Sequence, residues 1–368
     1  MRNLGLITLL FMAACATIPT PKNIIFVGTY TQKLGHVDGK AAGIYACSFD
    51  DEKGVLTVLD STQGINNPSF LTISPDKKYL YAVGENGGKP DKPYGEVVAY
   101  KITEGYKLLK INEIPSYGSY PCHISTDKTG KYVFVANYGT GNVVSYGVNT
   151  EGGLTDSISS NKHDGQSPWA HQVEAYPNGR LMFAVDKGAD KIYVYNLTDK
   201  GGLVLKEKVA TAVGAGPRHL DFNPKNSTQF ALINELNNLI STYNMDIKTG
   251  KIKRADSLST LPKDYNEPNT TAEILYHPNG QFVYGSNRGH NSIAIFKVDT
   301  DGKLTALGHA LTQGAKPRSF LITPNGKWLL AANQDSGNVA VFSIDEKTGL
   351  LTLKNVARVK TPVCLKWF

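Results

Sequence analysis

A ring of seven four-stranded β-sheets, a β-propeller of the all-β class, is predicted for this 368-residue chain by three observations. One phrase returns seven times: a Pro, a short apolar stretch, a Pro-Asp or Pro-Asn turn, and a Tyr- and Phe-rich run ending in Asn or Asp. Its leading residues fall at Pro68, Pro121, Pro168, Pro217, Pro268, Pro317 and Pro362, at intervals of 53, 47, 49, 51, 49 and 45. Such a period, with several short strand-like runs per unit, marks blades that bury their faces against their neighbours. The second observation is the lack of any sustained 3.6-residue apolar period that would argue for a helical domain. The third is that the two ends of the chain complete one another.

Taken in chain order, residues 1–22 are read as lying outside the fold. Arg2 supplies a positive start, residues 4–11 form an apolar stretch too short to span a bilayer, and Met12-Ala13-Ala14-Cys15 offers a small-residue cleavage site. The segment resembles a bacterial lipoprotein signal, with Cys15 lipidated and residues 17–22 as a tether. An ordinary secretory signal with a chance Cys is the plainer reading. The expected location is the cell envelope, facing the periplasm or the exterior, with the cytoplasm as the alternative.

Residues 23–368 are expected to form a single domain. Its first unit begins at Asn23-Ile24-Ile25-Phe26-Val27-Gly28-Thr29-Tyr30, which matches strand two of the later units. The missing strand one appears at the other terminus as Pro362-Val363-Cys364-Leu365-Lys366-Trp367-Phe368. Closing the first blade with the last strand removes exposed sheet edges. The loop at 31–42, carrying His36, Asp38 and Lys40, aligns with no other unit, and both a cap over a pocket and an exposed hairpin remain open for it. In the sixth unit, strands are predicted at 271–276, 281–286, 292–298 and 304–311. The turns His277-Pro278-Asn279-Gly280 and Asp299-Thr300-Asp301-Gly302 separate them.

Composition narrows the function. The net charge of +7 is spread thinly with no Lys/Arg run, which argues against a nucleic-acid partner. Cys47, Cys122 and Cys364 show neither zinc spacing nor a disulfide framework and are read as small buried residues. Gly139-Thr140-Gly141 and Gly214-Ala215-Gly216 lie between strands, so no phosphate-cradling loop opens a helix there.

Function must lie where the repeats differ. Strand one of every blade lines a propeller's central channel, so aligned positions converge in space. One position is a pair near the start of strand one: Ser69-Phe70, Cys122-His123, His171-Gln172, Arg218-His219, Ala272-Glu273 and Arg318-Ser319. Polar and ionisable groups dominate it, beyond what a solvated channel mouth requires. The other is the residue after the Asn or Asp that ends strand two: Glu85, Tyr138, Lys187, Glu235, Arg288 and Gln334. The Asn/Asp series itself is read as a turn device, a short polar side chain bonding its own downstream backbone.

Cys122-His123-Ile124-Ser125-Thr126-Asp127, Gly214-Ala215-Gly216-Pro217-Arg218-His219, Asn234-Glu235-Leu236, Ala272-Glu273-Ile274, Asn287-Arg288 and Lys316-Pro317-Arg318-Ser319-Phe320 resemble the seven-bladed lactonase family. That family includes propeller-type 6-phosphogluconolactonases and the fungal carboxymuconate cyclase, and the resemblance runs from Asn23 to Phe368. It implies a catalytic set of His171, Arg218, Glu235 and Arg288, which match the cyclase branch's proposed catalytic His, Arg, Glu and Arg. The implied reaction is hydrolysis of a sugar-acid lactone, with 6-phosphogluconolactone the leading substrate. Hydrolysis needs a base to activate water, worth roughly 10²- to 10⁴-fold, and guanidinium groups to hold an oxyanion or clamp an anion.

His171 is taken as the base, with the exchange of His171 and Glu235 left open. Arg218 and Arg288 would face the oxyanion. Lys187, His219 and Arg318 would receive the substrate's anionic group, His123 would shape the wall, and Glu273 would bind substrate or hold an Arg. Three Arg and a Lys in one ring disfavour a metal ion, and no cofactor is expected. The chain is expected to act as a monomer, touching a membrane only through Cys15. The alternatives are a non-catalytic envelope propeller and an enzyme for another carboxylate lactone.

Overall fold

The computed structural model describes residues 23–88, 93–177, 179–246 and 248–368. Residues 1–22, and with them Cys15 and the signal reading, lie outside the described residues. Among the described residues are seven four-stranded antiparallel sheets and one small hairpin, Lys33–Leu34 with Val37–Asp38. The sixth blade runs Thr270–Tyr276, Phe282–Arg288, Ser292–Val298 and Leu304–Leu311, within one or two residues of the expected strands at most ends.

Burial grades outward through each blade as the sequence does. Second strands such as Leu181–Asp186 and Trp328–Asn333 are buried along their whole length, because neighbouring blades cover both faces. Fourth strands such as Leu203–Ala210 are exposed or half-buried beyond their first residue. Between blades four and five the core holds an aromatic cluster: Tyr176, Phe183, Phe222 and Phe230 meet edge-on or stacked, with ring centroids 5.2–5.9 Å apart. Cys47, Cys122 and Cys364 are buried free thiols, as read from their spacing.

The termini close the ring. Pro362–Trp367 pairs antiparallel with Ile24–Thr29, placing the last strand innermost in the first blade. Trp328 of blade seven donates its Nε1 proton to the Asp51 carbonyl at 2.9 Å and packs edge-on against Phe49, so the joint is covered by a large apolar side chain.

One recurring irregularity sets up the functional face. In strand one of blades one, three, four, five and seven the ladder skips a single residue: Val363, Cys122, His171, Arg218 and Arg318. Blade six shifts register over Ala272 and Glu273. A β-bulge sets two residues opposite one and re-aims the extra side chain. This explains why two consecutive residues at that position both carry polar groups, where an ideal strand would send them to opposite faces.

The Asn/Asp series differs from expectation in its partners. Asp186 does cap its own downstream backbone, accepting from Gly188 and Ala189. Asn137, Asn287 and Asn333 instead donate to Ser116, Thr260 and Thr312, each just past the fourth strand of the preceding blade. These side chains stitch blades together.

Candidate active site

At one end of the channel lies a cavity of about 440 Å³, lined by Glu85, Tyr120, Cys122, Tyr138, His171, Lys187, Glu235, Arg288, Arg318 and the hairpin residues Leu34, Gly35 and His36. Both convergent positions meet there. Strand-one bulges contribute Cys122, His171 and Arg318, and strand-two ends contribute Glu85, Tyr138, Lys187, Glu235 and Arg288. The equivalence of the latter is visible in the backbone, since the amides of Glu85, Tyr138, Lys187 and Glu235 each bond a carbonyl at the entry to their blade's first strand. Past Arg288, Gly289 adopts φ +144°, and a Cβ there would sit 2.2 Å from the Pro268 carbonyl oxygen, so this tight turn requires glycine.

Glu235 is the hub of the cavity. Lys187 Nζ lies 2.6 Å from Oε1, and Arg218 Nε and Arg288 Nη2 each lie 3.1 Å from Oε2. The Arg218 Nε contact is an ion pair without hydrogen-bond alignment. The guanidinium groups are fixed from behind, Arg218 Nη1 donating to the Ala272 carbonyl and Arg288 Nη2 to the Thr271 carbonyl, both at 2.7 Å. Burial pushes the Glu235 carboxyl up, but Arg288, Arg218 and Lys187 outweigh it and hold it at about 2. Burial lowers Arg218, and it lowers Arg288 to about 10, which leaves both charged at neutral pH.

His171 faces this hub. It is 4% exposed, and its Nδ1 is buried with no hydrogen-bond partner among the described residues. Burial first, then Arg218, His219, Arg318 and Lys187, hold its imidazole well below the ordinary value, so the ring is neutral at pH 7 with a lone pair free.

The family model "Lactonase, 7-bladed beta-propeller" matches residues 24–367. The chain belongs to the seven-bladed β-propeller lactonase family. It is 33% identical over 356 residues to a 6-phosphogluconolactonase of Bacillus subtilis, covering 94% of this chain and 98% of the relative. A 6-phosphogluconolactonase of Pectobacterium carotovorum is 32% identical over 273 residues, covering 73% of this chain and 78% of the relative. Among solved structures, the periplasmic gluconolactonase of Pseudomonas aeruginosa superposes with a TM-score of 0.86 at 28% identity, covering 94% and 98% of the two chains. Membership makes the protein a lactone hydrolase and sets aside the non-catalytic propeller.

Across the lactonase pocket from Glu235 stands a second carboxylate, Glu85, which accepts a hydrogen bond from Tyr30 Oη at 2.8 Å. The Arg318 guanidinium lies 5.4 Å from the centre of the Tyr30 ring and makes no ion pair among the described residues. Tyr30 was not anticipated as a site residue. It follows strand two of blade one as Glu235 follows that of blade five, and its amide bonds the Thr361 carbonyl in the equivalent way. The signal was present but masked, because blade one ends strand two in Thr29 rather than Asn or Asp. The loop at 31–42 proves to be the hairpin that overhangs the pocket.

Three anticipated substrate ligands lie deeper. His123, His219 and Glu273 follow the bulge residues on strand one and form a layer beneath the cavity lining. His219 Nδ1 meets Glu273 Oε1 at 2.7 Å, Ser319 Oγ donates to Glu273 Oε2 at 3.2 Å, and Phe70 packs against both His123 and His219. Glu273 thus pairs with a His, not an Arg. Lys187 is committed to Glu235, and Gln334 turns outward to Asp335. A larger cavity of about 1140 Å³ lies on the outer side of the hairpin and holds none of the convergent charged residues. Among the described residues no three His, Cys, Asp or Glu side chains are grouped to hold a metal ion.

Proposed function

We propose that this lactonase hydrolyses δ-lactones of sugar acids, 6-phosphogluconolactone first among them, without a metal ion. The observation that carries the reading is His171: a neutral imidazole that lines the cavity, with no side-chain hydrogen bond among the described residues, beside guanidinium groups already fixed in place. His171 accepts a proton from water as the hydroxide oxygen bonds to the lactone carbonyl carbon. The electron pair moves to the carbonyl oxygen, where Arg288, which lines the cavity, stabilises the charge, and the buried Arg218, which does not line it, adds its positive field. On collapse the ring C–O bond breaks, and the proton passes from His171 to the leaving ring oxygen, giving the open hydroxy acid.

Of the two bases left open by the sequence, Glu235 is the weaker candidate. A carboxylate held at about 2 with three cationic contacts on its two oxygens is a poor proton acceptor at neutral pH. Its role is to position Arg218, Arg288 and Lys187. Four cations around two carboxylates also oppose a divalent ion, which needs several free oxygen ligands. Purified protein should therefore hydrolyse 6-phosphogluconolactone equally well with and without a chelator. Loss of activity in the chelator overturns the metal-free mechanism, and no hydrolysis of either 6-phosphogluconolactone or glucono-δ-lactone overturns the substrate class.

The likeness to the periplasmic gluconolactonase favours a second reading, in which the uncharged glucono-δ-lactone is preferred. That likeness also supports an envelope location, and the lipid on Cys15 proposed from the sequence would hold the protein there. Labelling cells with a clickable fatty acid should mark the wild type and not a Cys15→Ala form.

A further inference from the structure

We propose that the hairpin above the pocket supplies a ligand-binding residue, His36, which with Arg318 forms the subsite for a negatively charged substituent on the lactone; this rests on the lactone reading above. The hairpin is anchored at its base. Val37 is buried against Tyr30 and Val363, the Lys40 amide donates to Thr361 Oγ1 at 3.1 Å, and the Thr31 and Gln32 amides both donate to Asn67 Oδ1 at 3.0 Å. With Val37 turned inward, the preceding residue is carried over the cavity. The His36 ring stands edge-on to Tyr30, centroids 5.5 Å apart, on the ring whose other neighbour is the Arg318 guanidinium.

This arrangement leaves two donors without acceptors. Arg218, Arg288 and Lys187 share Glu235, whereas Arg318 makes no ion pair among the described residues, and neither ring nitrogen of His36 has a hydrogen-bond partner there. Tyr30 and Glu85 satisfy one another, so Glu85 is drawn toward the phenol. A phosphate or carboxylate fits between the fork of Arg318 and an imidazole N–H, a charge-assisted pair of contacts. Burial, Arg318, Lys316 and Arg288 disfavour the protonated ring while Glu85 favours it, and Asp38, Lys33 and Lys40 lie nearby on the hairpin itself. An anion arriving beside His36 therefore raises its affinity for a proton.

The test compares the ratio of kcat/KM on 6-phosphogluconolactone to that on glucono-δ-lactone. His36→Ala should lower this ratio about tenfold, the size of a lost hydrogen bond to a charged group. Lys33→Ala, on the outer side of the same hairpin, should change it less than about twofold. An unchanged ratio in His36→Ala, or an equal drop in Lys33→Ala, overturns the assignment. A second readout needs no activity. In protein labelled at histidine, titration with inorganic phosphate should shift the His36 resonance and raise its pKa, and Arg318→Ala should weaken that response. A His36 signal indifferent to phosphate sinks the subsite even if both lactones are hydrolysed. A phosphate response with neither lactone hydrolysed sustains the subsite and sinks the lactone reading instead.

Discussion

Glu85 and Glu235 occupy the same position in blades two and five, the residue after strand two, yet their surroundings give them different work. Glu235 is enclosed by three cations and held ionised, so it organises a rigid positive cluster. Glu85 has a neutral phenol as its close partner, and the cation nearest that phenol's ring, Arg318, makes no ion pair among the described residues, although Tyr30, Glu85 and Glu235 favour its charge. The same backbone address therefore builds a closed electrostatic network on one side of the pocket and an unfinished one on the other. A closed network suits a part that must hold still during chemistry, and an unfinished one suits a part that waits for a charged ligand.

The largest effect on this comparison should come from the chain terminus. Removing residues 362–368 takes away the innermost strand of blade one and the Val363 contact to Tyr30 and Val37. It also opens the Phe49–Trp367 contact. The ring then has unpaired edges, so the truncated protein should aggregate or lose its cooperative melt. A truncated form that melts like the full chain would refute closure through the terminus.

Glu235→Gln should come next. It leaves the buried Arg218 and the part-buried Arg288 and Lys187 without their shared carboxylate, a change of the class that costs about 3–5 kcal/mol in stability, and it should lower kcat by about 10²-fold as Arg218 and Arg288 relax. The wild type carries a pH signature of the same contact. The folded carboxyl titrates at about 2 against an ordinary 4.5, so the stabilisation is full above pH 4.5 and is lost as pH falls toward 2. At 1.36 kcal/mol per pH unit it amounts to about 3 kcal/mol. Denaturant melts at pH 5 and pH 2.5 in both proteins would show it, and an equal loss in both would remove Glu235 as its source.

His171→Asn should lower kcat by about 10²-fold with a smaller stability change. Because the folded imidazole binds protons less readily than its ordinary 6.5, the acid limb of the wild-type pH–rate profile should lie below pH 6.5. A limb at or above that value, or one retained in His171→Asn, would transfer the base role elsewhere. The same depressed value makes the histidine destabilising in acid, since the unfolded chain takes up its proton first as pH falls through 6.5.

What could be read from the chain beforehand followed from its periodicity. Blade number, strand order and the terminal closure were legible because each repeat places turn residues and buried aromatics at fixed offsets. The site was legible to the extent that repetition superimposes positions, which brought His171, Arg218, Glu235 and Arg288 to one place. It failed where depth and partner choice decide. A period of 49 residues does not reveal a β-bulge, so it could not separate Arg218 from His219, one in contact with the hub and the other paired with Glu273 beneath it. Tyr30 escaped, and the loop at 31–42 could be read only as either a cap or an exposed hairpin, because blade one departs from the repeat, with Thr29 in place of Asn and an insertion after it. Departure from the repeat is itself a signal, since an insertion at a strand-two exit starts at the rim of the pocket.

The smallest effect separates the two halves most sharply. Arg318→Ala removes a cation that makes no ion pair among the described residues and leaves the Glu235 cluster intact, so stability should change little compared with Glu235→Gln. If the unfinished half awaits an anion, the variant should raise KM for 6-phosphogluconolactone by about tenfold or more, with kcat much less affected. Binding lost equally in ground and transition states appears in KM alone. Restoring the charge as Lys should recover part of the loss, though not all, because an ammonium cannot reproduce the guanidinium's two-pronged contact with an oxyanion. Arg318→Ala losing the same factor on glucono-δ-lactone would mean that Arg318 serves the reacting carbonyl instead. The pocket would then carry its chemistry on both sides, and the contrast between Glu85 and Glu235 would be one of neighbours without a difference in function.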